Sequence, residues 1–173
     1  MLSLIVAESA IFTIFVAAYI FYIGKSLDGP TPRILTIPIF ATVCLLSSSL
    51  TMHFAVSALQ RGSSGLFNLF WILTLALGAI FITSTAREWH HLIYQEGFTI
   101  QTNLFGTTFY SLVGLHASHV IVGLIGLTIV AILGLAGRVR REHSERCEVI
   151  ALYWHFVDAV WVVVFTVVYI VGR

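Results

Sequence analysis

Charge is what this 173-residue sequence has least of: 10% of its residues are Asp, Glu, Lys or Arg, while 58% are hydrophobic. Soluble domains carry about a quarter charged residues and under half apolar ones. With a mean hydropathy of +0.97, a water-soluble globule is excluded, and so is a disordered chain. A net charge of +1 leaves no broad basic surface for nucleic acid. Cysteine is equally scarce: Cys44 lies inside an apolar run and Cys147 in what reads as a charged loop, which cannot build a disulfide scaffold. Neither CxxC nor CxxCH occurs, so a zinc ribbon and a covalently attached haem c both lack their residues. GxSxG, GxxxxGK[ST] and HExxH are absent as well. Without a nucleophile–base pair, no independent catalytic site is expected.

What is present is apolar and continuous. Five stretches stand out, at about Leu2–Gly24, Ile34–Leu59, Leu66–Leu92, Phe105–Gly137 and Val149–Val171. Each is long enough to cross a hydrocarbon layer as a helix at about 1.5 Å per residue. Membrane strands would need short alternating segments instead. The predicted fold is therefore all-α, a polytopic membrane protein in which one domain bundles five transmembrane helices. The fourth stretch exceeds a straight crossing, which predicts tilt or an end outside the bilayer. Asp28-Gly29-Pro30-Thr31-Pro32 reads as a linker. Gln60–Gly65 is a short helix–helix connection, and Thr102 or Asn103 is an N-cap for the fourth span. Pro38 is placed in the first turns of the second span, where its missing N–H matters least.

The first span lacks a basic n-region, carries Glu8 early and has no small-residue cleavage site, so it reads as a mature crossing rather than a leader. Five crossings place the termini on opposite sides. Arg61, Arg138, Arg140, Arg141 and Arg146 share the side of the N-terminus; Lys25, Arg33, Arg87 and Arg173 share the other. The excess of arginine predicts a cytoplasmic N-terminus and a periplasmic C-terminus.

Ionisable groups inside a bilayer need a partner, a water-filled cavity or a neutral state, so they are the informative residues. Glu8 heads a helical stripe with Phe15, Tyr19 and Tyr22. It is either a buried carboxyl engaged in proton handling or headgroup contact, or a partly solvated helix end. Thr74, Gly78, Phe81, Thr85 and Glu88 follow one face of the third span, a small-residue contact seam. His90 and His91, neighbours in sequence, point about 100° apart and read as solvated interfacial residues rather than ligands. His116 and His119 sit three apart on the fourth span, followed by Gly123 and Gly126, which permit close helix approach. Glu148 opens the fifth span ahead of Tyr153-Trp154-His155-Phe156-Val157-Asp158, with Glu148 two turns from His155 and Asp158 within its reach. This set has two readings: metal or haem ligands, or an interhelical hydrogen-bonded network satisfying buried polar groups. The network is favoured, because thiolates and widely spaced histidine pairs are missing.

These residues resemble subunit III of the haem–copper cytochrome c oxidases, in a short five-helix bacterial form. EVIALYWHFVDAVW, from Glu148 to Trp161, is similar to the family's E-A-x-x-W-Y-W-H-F-V-D-x-V-W. GTTFYSLVGLHASHVIVG, from Gly106 to Gly123, resembles its G-S-x-F-x-x-x-T-G-x-H-x-x-H-V-x-x-G. Glu88 and Glu8, the latter within AESAIFTIFVAAY, resemble two further glutamates of the family. The resemblance covers essentially the whole chain and departs in two places. The chain starts at what resembles the third of seven helices, so the first two, one arm of a lipid-holding cleft, are expected to be absent or supplied by a neighbouring subunit. Ala55-Val56-Ser57-Ala58 stands where many members have paired histidines, with His53 nearby.

The resemblance implies a subunit of a terminal oxidase that reduces O2 to water with proton translocation, itself holding no redox centre. Haem and copper are expected in partner subunits, with subunit I and subunit II as neighbours and bound phospholipid as a companion. A respiratory supercomplex is a further expected setting, in a bacterial inner membrane. Sustained proton uptake, protection during turnover and an oxygen route are the implied roles. Glu8, Glu88, His116, His119, Glu148, Tyr153, Trp154, His155 and Asp158 are then a structural polar network, with no catalytic, cofactor or metal residue among them. The alternatives are subunit III of a quinol oxidase, a homologue associated with nitric oxide reductase, a membrane cytochrome b with His-ligated haem, and a small transporter using Glu8 and Asp158. The transporter would want an inverted repeat, which the chain lacks.

Overall fold

A computed structural model describes residues 2–23 and 35–172. Five long helices follow in order: α1 (Leu2–Tyr22), α2 (Ile39–Gln60), α3 (Ser64–Tyr94), α4 (Leu104–Leu135) and α5 (Ser144–Phe165). A single 3₁₀ turn (Arg141–His143) leads into α5, which runs on into a π-helical end over Thr166–Val171. No strand occurs among the described residues, and all five helices are long and apolar enough to cross a membrane. The linker from Asp28 to Pro32, together with Lys25, Arg33 and Arg173, lies outside the described residues.

Helix boundaries follow local chemistry more closely than hydropathy. Pro38 precedes α2 rather than lying inside it, because the helix begins at Ile39. Asn103 caps α4: its Oδ1 accepts from the Gly106 N–H at 2.8 Å, satisfying one of the orphan donors of a first turn. Thr102 instead accepts from the Thr99 N–H. Gly62 has φ 79°, and around it Ser63 N bonds Ala58 O and Gly62 N bonds Leu59 O. That closes the carbonyls of α2 with a left-handed residue, which glycine adopts without penalty. Gly137, at φ 69°, ends α4 by the same pattern, through Arg138 N to Leu133 O and Gly137 N to Gly134 O.

At 31 and 32 residues, α3 and α4 rise about 46–48 Å, beyond a hydrocarbon core of about 30 Å. α5 starts at Ser144, one turn before the apolar run begins. Cys147 therefore sits on the helix, 3% exposed, and not in a loop. Both cysteines are free and buried.

The contacts divide the chain into two compact units, each drawing on α3, α4 and α5. The unit formed by residues 1–38, 85–118 and 159–173 packs an aromatic core. Phe98, Phe105, Phe109 and Tyr110 lie with ring centroids 5.2–6.0 Å apart, and the Tyr110 hydroxyl donates to Phe98 O at 2.8 Å. Tyr19 reaches this cluster from α1, its ring 6.2 Å from Phe105.

The unit formed by residues 39–84 and 119–158 is held by small residues facing large ones. Gly78 of α3 and Gly123 of α4 both lie against the Trp154 indole of α5; a Cβ on either would come within 2.9 Å of it. Gly126 meets nothing within 4 Å, so only one of the two glycines marked by the sequence makes a close approach. Trp71 of α3 donates its indole N–H to Leu127 O of α4 at 2.9 Å. Asn68 donates to Gly134 O at 3.2 Å, against a glycine whose Cβ would collide with it.

Candidate functional site

The polar residues singled out from the sequence fall into separate clusters, each assembled from different helices. In the first unit, His116 is fully buried. Its ring stacks on Trp161 of α5 at 4.9 Å and meets the Phe12 ring of α1 at 6.4 Å, so an imidazole is held by aromatic faces from two other helices. Glu88 of α3 accepts from the Tyr169 hydroxyl at 3.4 Å. Glu8 is half-buried on α1, and Tyr19 below it is 1% exposed. His90 and His91 are exposed.

In the second unit, α5 is tied to its neighbours residue by residue. The Tyr153 hydroxyl donates to the backbone oxygen of His119 on α4 at 3.2 Å. The Trp154 indole donates to Ser48 Oγ on α2 at 2.9 Å. His155 Nδ1 and Ser49 Oγ share a hydrogen bond of 2.7 Å. The Gln60 amide donates to the Glu148 carboxylate. Thr51 and Thr74 join α2 to α3 at 2.7 Å. His116 and His119, adjacent in sequence motif, thus serve different units with different partners.

Asp158 is 3% exposed, and neither carboxyl oxygen meets hydrogen-bond geometry with any group among the described residues. The Ser49 hydroxyl is engaged with His155 Nδ1. His155 is therefore engaged with α2, not with Asp158 one turn along its own helix.

Two concavities flank these contacts. A groove of about 590 Å³ runs between α2 and α5, lined by His53, Ser57 and Gln60 on one side and Glu145, Glu148 and His155 on the other. A second, of about 340 Å³, lies between the end of α4 and the start of α5, where Arg138, His143 and Arg146 stand over Val130, Leu133 and Ile150. The start of α5 sorts its charges by face: Glu145 and Glu148 turn to one cavity, Arg146 to the other. Among the described residues no group of three or more His, Cys, Asp or Glu is arranged to hold a metal ion.

The partners on α2 were not foreseen. Ser48, Ser49 and Thr51 belong to a run of small hydroxyl residues inside an apolar span, Ser47-Ser48-Ser49-Leu50-Thr51. Such runs are what interhelical hydrogen bonding uses, and that was the available signal.

Comparison with known proteins gives the family of this architecture. The family model for cytochrome c oxidase subunit III matches residues 4–173. The chain belongs to the cytochrome c oxidase subunit III family. It is 34% identical to cytochrome c oxidase subunit 3 of Alkalihalophilus pseudofirmus, over 95% of this chain and 82% of that protein. Identity to the Bacillus subtilis subunit 3 is 37%, over 84% of this chain and 71% of the other. The cytochrome bo(3) ubiquinol oxidase subunit 3 of Pseudomonas aeruginosa is 32% identical, over 97% of this chain and 81% of its own length. This is a subunit III of a haem–copper oxidase, a multi-pass membrane protein that works within a multi-subunit complex. The two motifs that carry the likeness, Gly106–Gly123 and Glu148–Trp161, lie on α4 and α5.

Proposed function

We propose that this subunit III contributes no redox or catalytic centre of its own and acts by supporting a haem–copper oxidase. One observation carries the reading: the motif residues on α5 are used to fasten that helix to α2 and α4. Trp154 and His155 take Ser48 and Ser49, Tyr153 takes the His119 carbonyl, and Glu148 takes Gln60. Hydrogen bonds of this kind between helices in lipid contribute about 0.6–2 kcal/mol each, enough together to set the register of α5. Among the described residues no group of three or more His, Cys, Asp or Glu gathers around His155, and its Nδ1 is engaged by Ser49.

The subunit's neighbours are then the catalytic subunit I, which holds the haem and copper, and subunit II. Apolar surface is available for them. Only 11% of the most apolar window of α1 is buried within the chain, and 28–44% of the others. Phospholipid fills what protein leaves open. The pocket of Arg138, His143 and Arg146 above Val130, Leu133 and Ile150 offers positive charge over apolar walls, the combination that suits an anionic headgroup. The membrane is a bacterial inner membrane with the N-terminus cytoplasmic. The side carrying Arg61, Arg138, Arg140, Arg141 and Arg146 supports this orientation. Assembly, proton uptake and stability in turnover are the functions supplied.

A pull-down on the tagged chain in mild detergent tests this, with a visible spectrum and mass identification of what co-purifies. Haem bands arriving with a large multi-span haem–copper subunit are expected. A chain that came out alone and coloured would make the histidines haem ligands and overturn the reading. The quinol oxidase variant is a second reading, favoured by the Pseudomonas aeruginosa relative. The donor-binding subunit in the same preparation distinguishes cytochrome c from quinol.

A further inference from the structure

His53 is an imidazole on the outside of an apolar helix. It lies on α2 two turns before the last residue, Gln60, and is exposed on the surface of the chain. Its ring meets Phe54 at 6.1 Å, and it makes no hydrogen bond among the described residues. Two turns are about 10 Å of helix, so a membrane-spanning α2 holds this ring within the hydrocarbon, where a polar side chain needs a hydrogen-bonding partner. The groove of about 590 Å³ between α2 and α5 is where such a partner fits, because His53 and His155 both line it. His155 Nδ1 is engaged by Ser49 at 2.7 Å, which leaves Nε2 as its second hydrogen-bonding atom.

Between the two imidazoles and the Gln60–Glu148 hydrogen bond, the walls are apolar. Val56 and Ala151 form a buried floor, while Val149 and Leu152, 45% and 42% exposed, form a lip open to the outside of the chain. Glu145 and Glu148 line the groove, and no Lys or Arg among the described residues does. Its charge is therefore opposite to that of the Arg138–Arg146 pocket, and an anionic head is repelled. Apolar walls, a few convergent polar groups and a volume within about 300–1,000 Å³ are the marks of a small-molecule site.

We infer that this groove binds the head of an isoprenoid quinone, with the ring on the Val56–Ala151 floor, a ring oxygen hydrogen-bonded to His53 and His155, and the tail leaving over Val149 and Leu152 into lipid. The head must be neutral, because carboxylates and no cations line the groove. It must also offer an oxygen to an imidazole inside the hydrocarbon. A quinone carbonyl accepts from an imidazole N–H, and a quinol hydroxyl donates to the unprotonated ring nitrogen, so a neutral histidine serves both oxidation states. A rigid ring also has little conformational freedom to lose on binding. A phospholipid would bring its phosphate toward Glu145 and Glu148, and its acyl chains give His53 nothing to bond. The inference is of binding alone; no electron or proton transfer is assigned to this chain. It goes beyond the supporting role proposed above and depends neither on that role nor on which donor serves the oxidase.

Photolabelling of the purified complex, washed free of endogenous quinone, tests the site. The probe is a short-tailed azidoubiquinone, and mass mapping locates the label. Saturable labelling of the α2 and α5 segments lining the groove is expected, reaching one per subunit III and displaced by decylubiquinone. H53L puts an ordinary lipid-facing side chain in place of the imidazole, so the complex should still assemble while half-saturation needs about tenfold more probe, the loss of one hydrogen bond. L152W fills the groove and should abolish the label. I132W, at an exposed position of α4 away from the groove, should label like the wild type. Should L152W fail to assemble, the comparison of H53L with the wild type decides alone. A quinol site elsewhere in the complex would label other segments and does not enter the comparison. The inference is overturned if the groove segments stay unlabelled, if their labelling does not saturate, or if H53L labels as readily as the wild type. It is also overturned if phosphatidylethanolamine displaces the probe as well as decylubiquinone does, which would make this a general lipid groove, or if the groove segments cross-link to a helix of a neighbouring subunit that fills the space.

Discussion

Trp154 of α5 donates its indole N–H to Ser48 Oγ of α2 at 2.9 Å, while its ring lies against Gly78 of α3 and Gly123 of α4. One side chain thus contacts three helices, with a hydrogen bond to one and glycine-deep slots in the other two. The slots exist because those positions have no Cβ, and the bond exists because a serine faces the indole nitrogen. Membrane helices gain little from hydrophobic burial against each other, so close packing and a satisfied polar group set the arrangement.

The first prediction concerns the slots. A Cβ at Gly123 would lie 2.9 Å from the Trp154 ring, and one at Gly78 2.8 Å. Gly78→Ala and Gly123→Ala should each destabilise the subunit by about 1–3 kcal/mol, the usual cost of overpacking. Gly126→Ala, with nothing within 4 Å, should be close to neutral. Unfolding of the purified subunit by SDS titration measures all three, and a Gly126 variant as damaged as the others would refute the assignment.

Ser48→Ala removes the acceptor and leaves the Trp154 N–H buried without a partner. A loss of about 1–3 kcal/mol is expected from the stranded donor, in the same SDS assay. Trp154→Phe combined with Ser48→Ala removes both partners. Its loss should be smaller than the sum of the two single substitutions, since the stranded group is then gone. Strict additivity would mean that the indole and the hydroxyl do not interact.

How much of this was readable beforehand differs by level. All five membrane helices were legible because each is a long apolar run, and such runs have few alternatives in lipid. Helix ends were less legible. Hydropathy marks where lipid contact begins, whereas α5 begins at Ser144, in a charged stretch whose Cys147 is nonetheless packed. α2 begins only after Pro38, because proline lacks the N–H that an interior turn would use. The motif residues of α5 were conspicuous, but their partners were not. Ser48 and Ser49 are 106 residues away from Trp154 and His155, and no periodicity within one helix says which neighbour it will face. Spacing also suggested that Asp158 would serve His155; the observed geometry gives that nitrogen to Ser49 instead.

The third prediction uses that bond. His155→Ala removes the contact of α5 with Ser49 without touching a metal ligand in the proposed scheme. Recovery of the haem-bearing subunit on a tagged subunit III should fall, while the Soret band of whatever complex is recovered stays unchanged. A shifted Soret band at full recovery would instead place His155 near a haem.

The helix cap of α4 supplies a fourth. Asn103 Oδ1 accepts from Gly106 N at 2.8 Å, so Asn103→Ala should cost about 1 kcal/mol, and Asn103→Asp or Asn103→Ser much less. Thr102→Ala, whose hydroxyl takes the Thr99 N–H and not a donor of the helix, should leave α4 intact. Hydrogen exchange of the first-turn amides of α4 reads the difference directly: faster exchange is expected in Asn103→Ala alone.

Orientation in the membrane yields the last. The loop after α4 holds Arg138, Arg140 and Arg141, with Arg146 just beyond it, whereas the loop after α3, from Gln95 to Asn103, holds no arginine or lysine. Arginine-rich connections stay on the cytoplasmic side, so a cysteine at Arg140 should be unreactive toward an impermeant maleimide in intact cells and reactive after lysis. A cysteine at Gln101 should react in intact cells. The native cysteines do not interfere, because Cys44 is 7% exposed and Cys147 3% exposed. If Arg140→Cys reacted from outside and Gln101→Cys only after lysis, the N-terminus would be periplasmic. The arginine cluster would then face the wrong side for the cytoplasmic leaflet, and the anionic headgroup proposed for the Arg138–Arg146 pocket would have to come from the outer one.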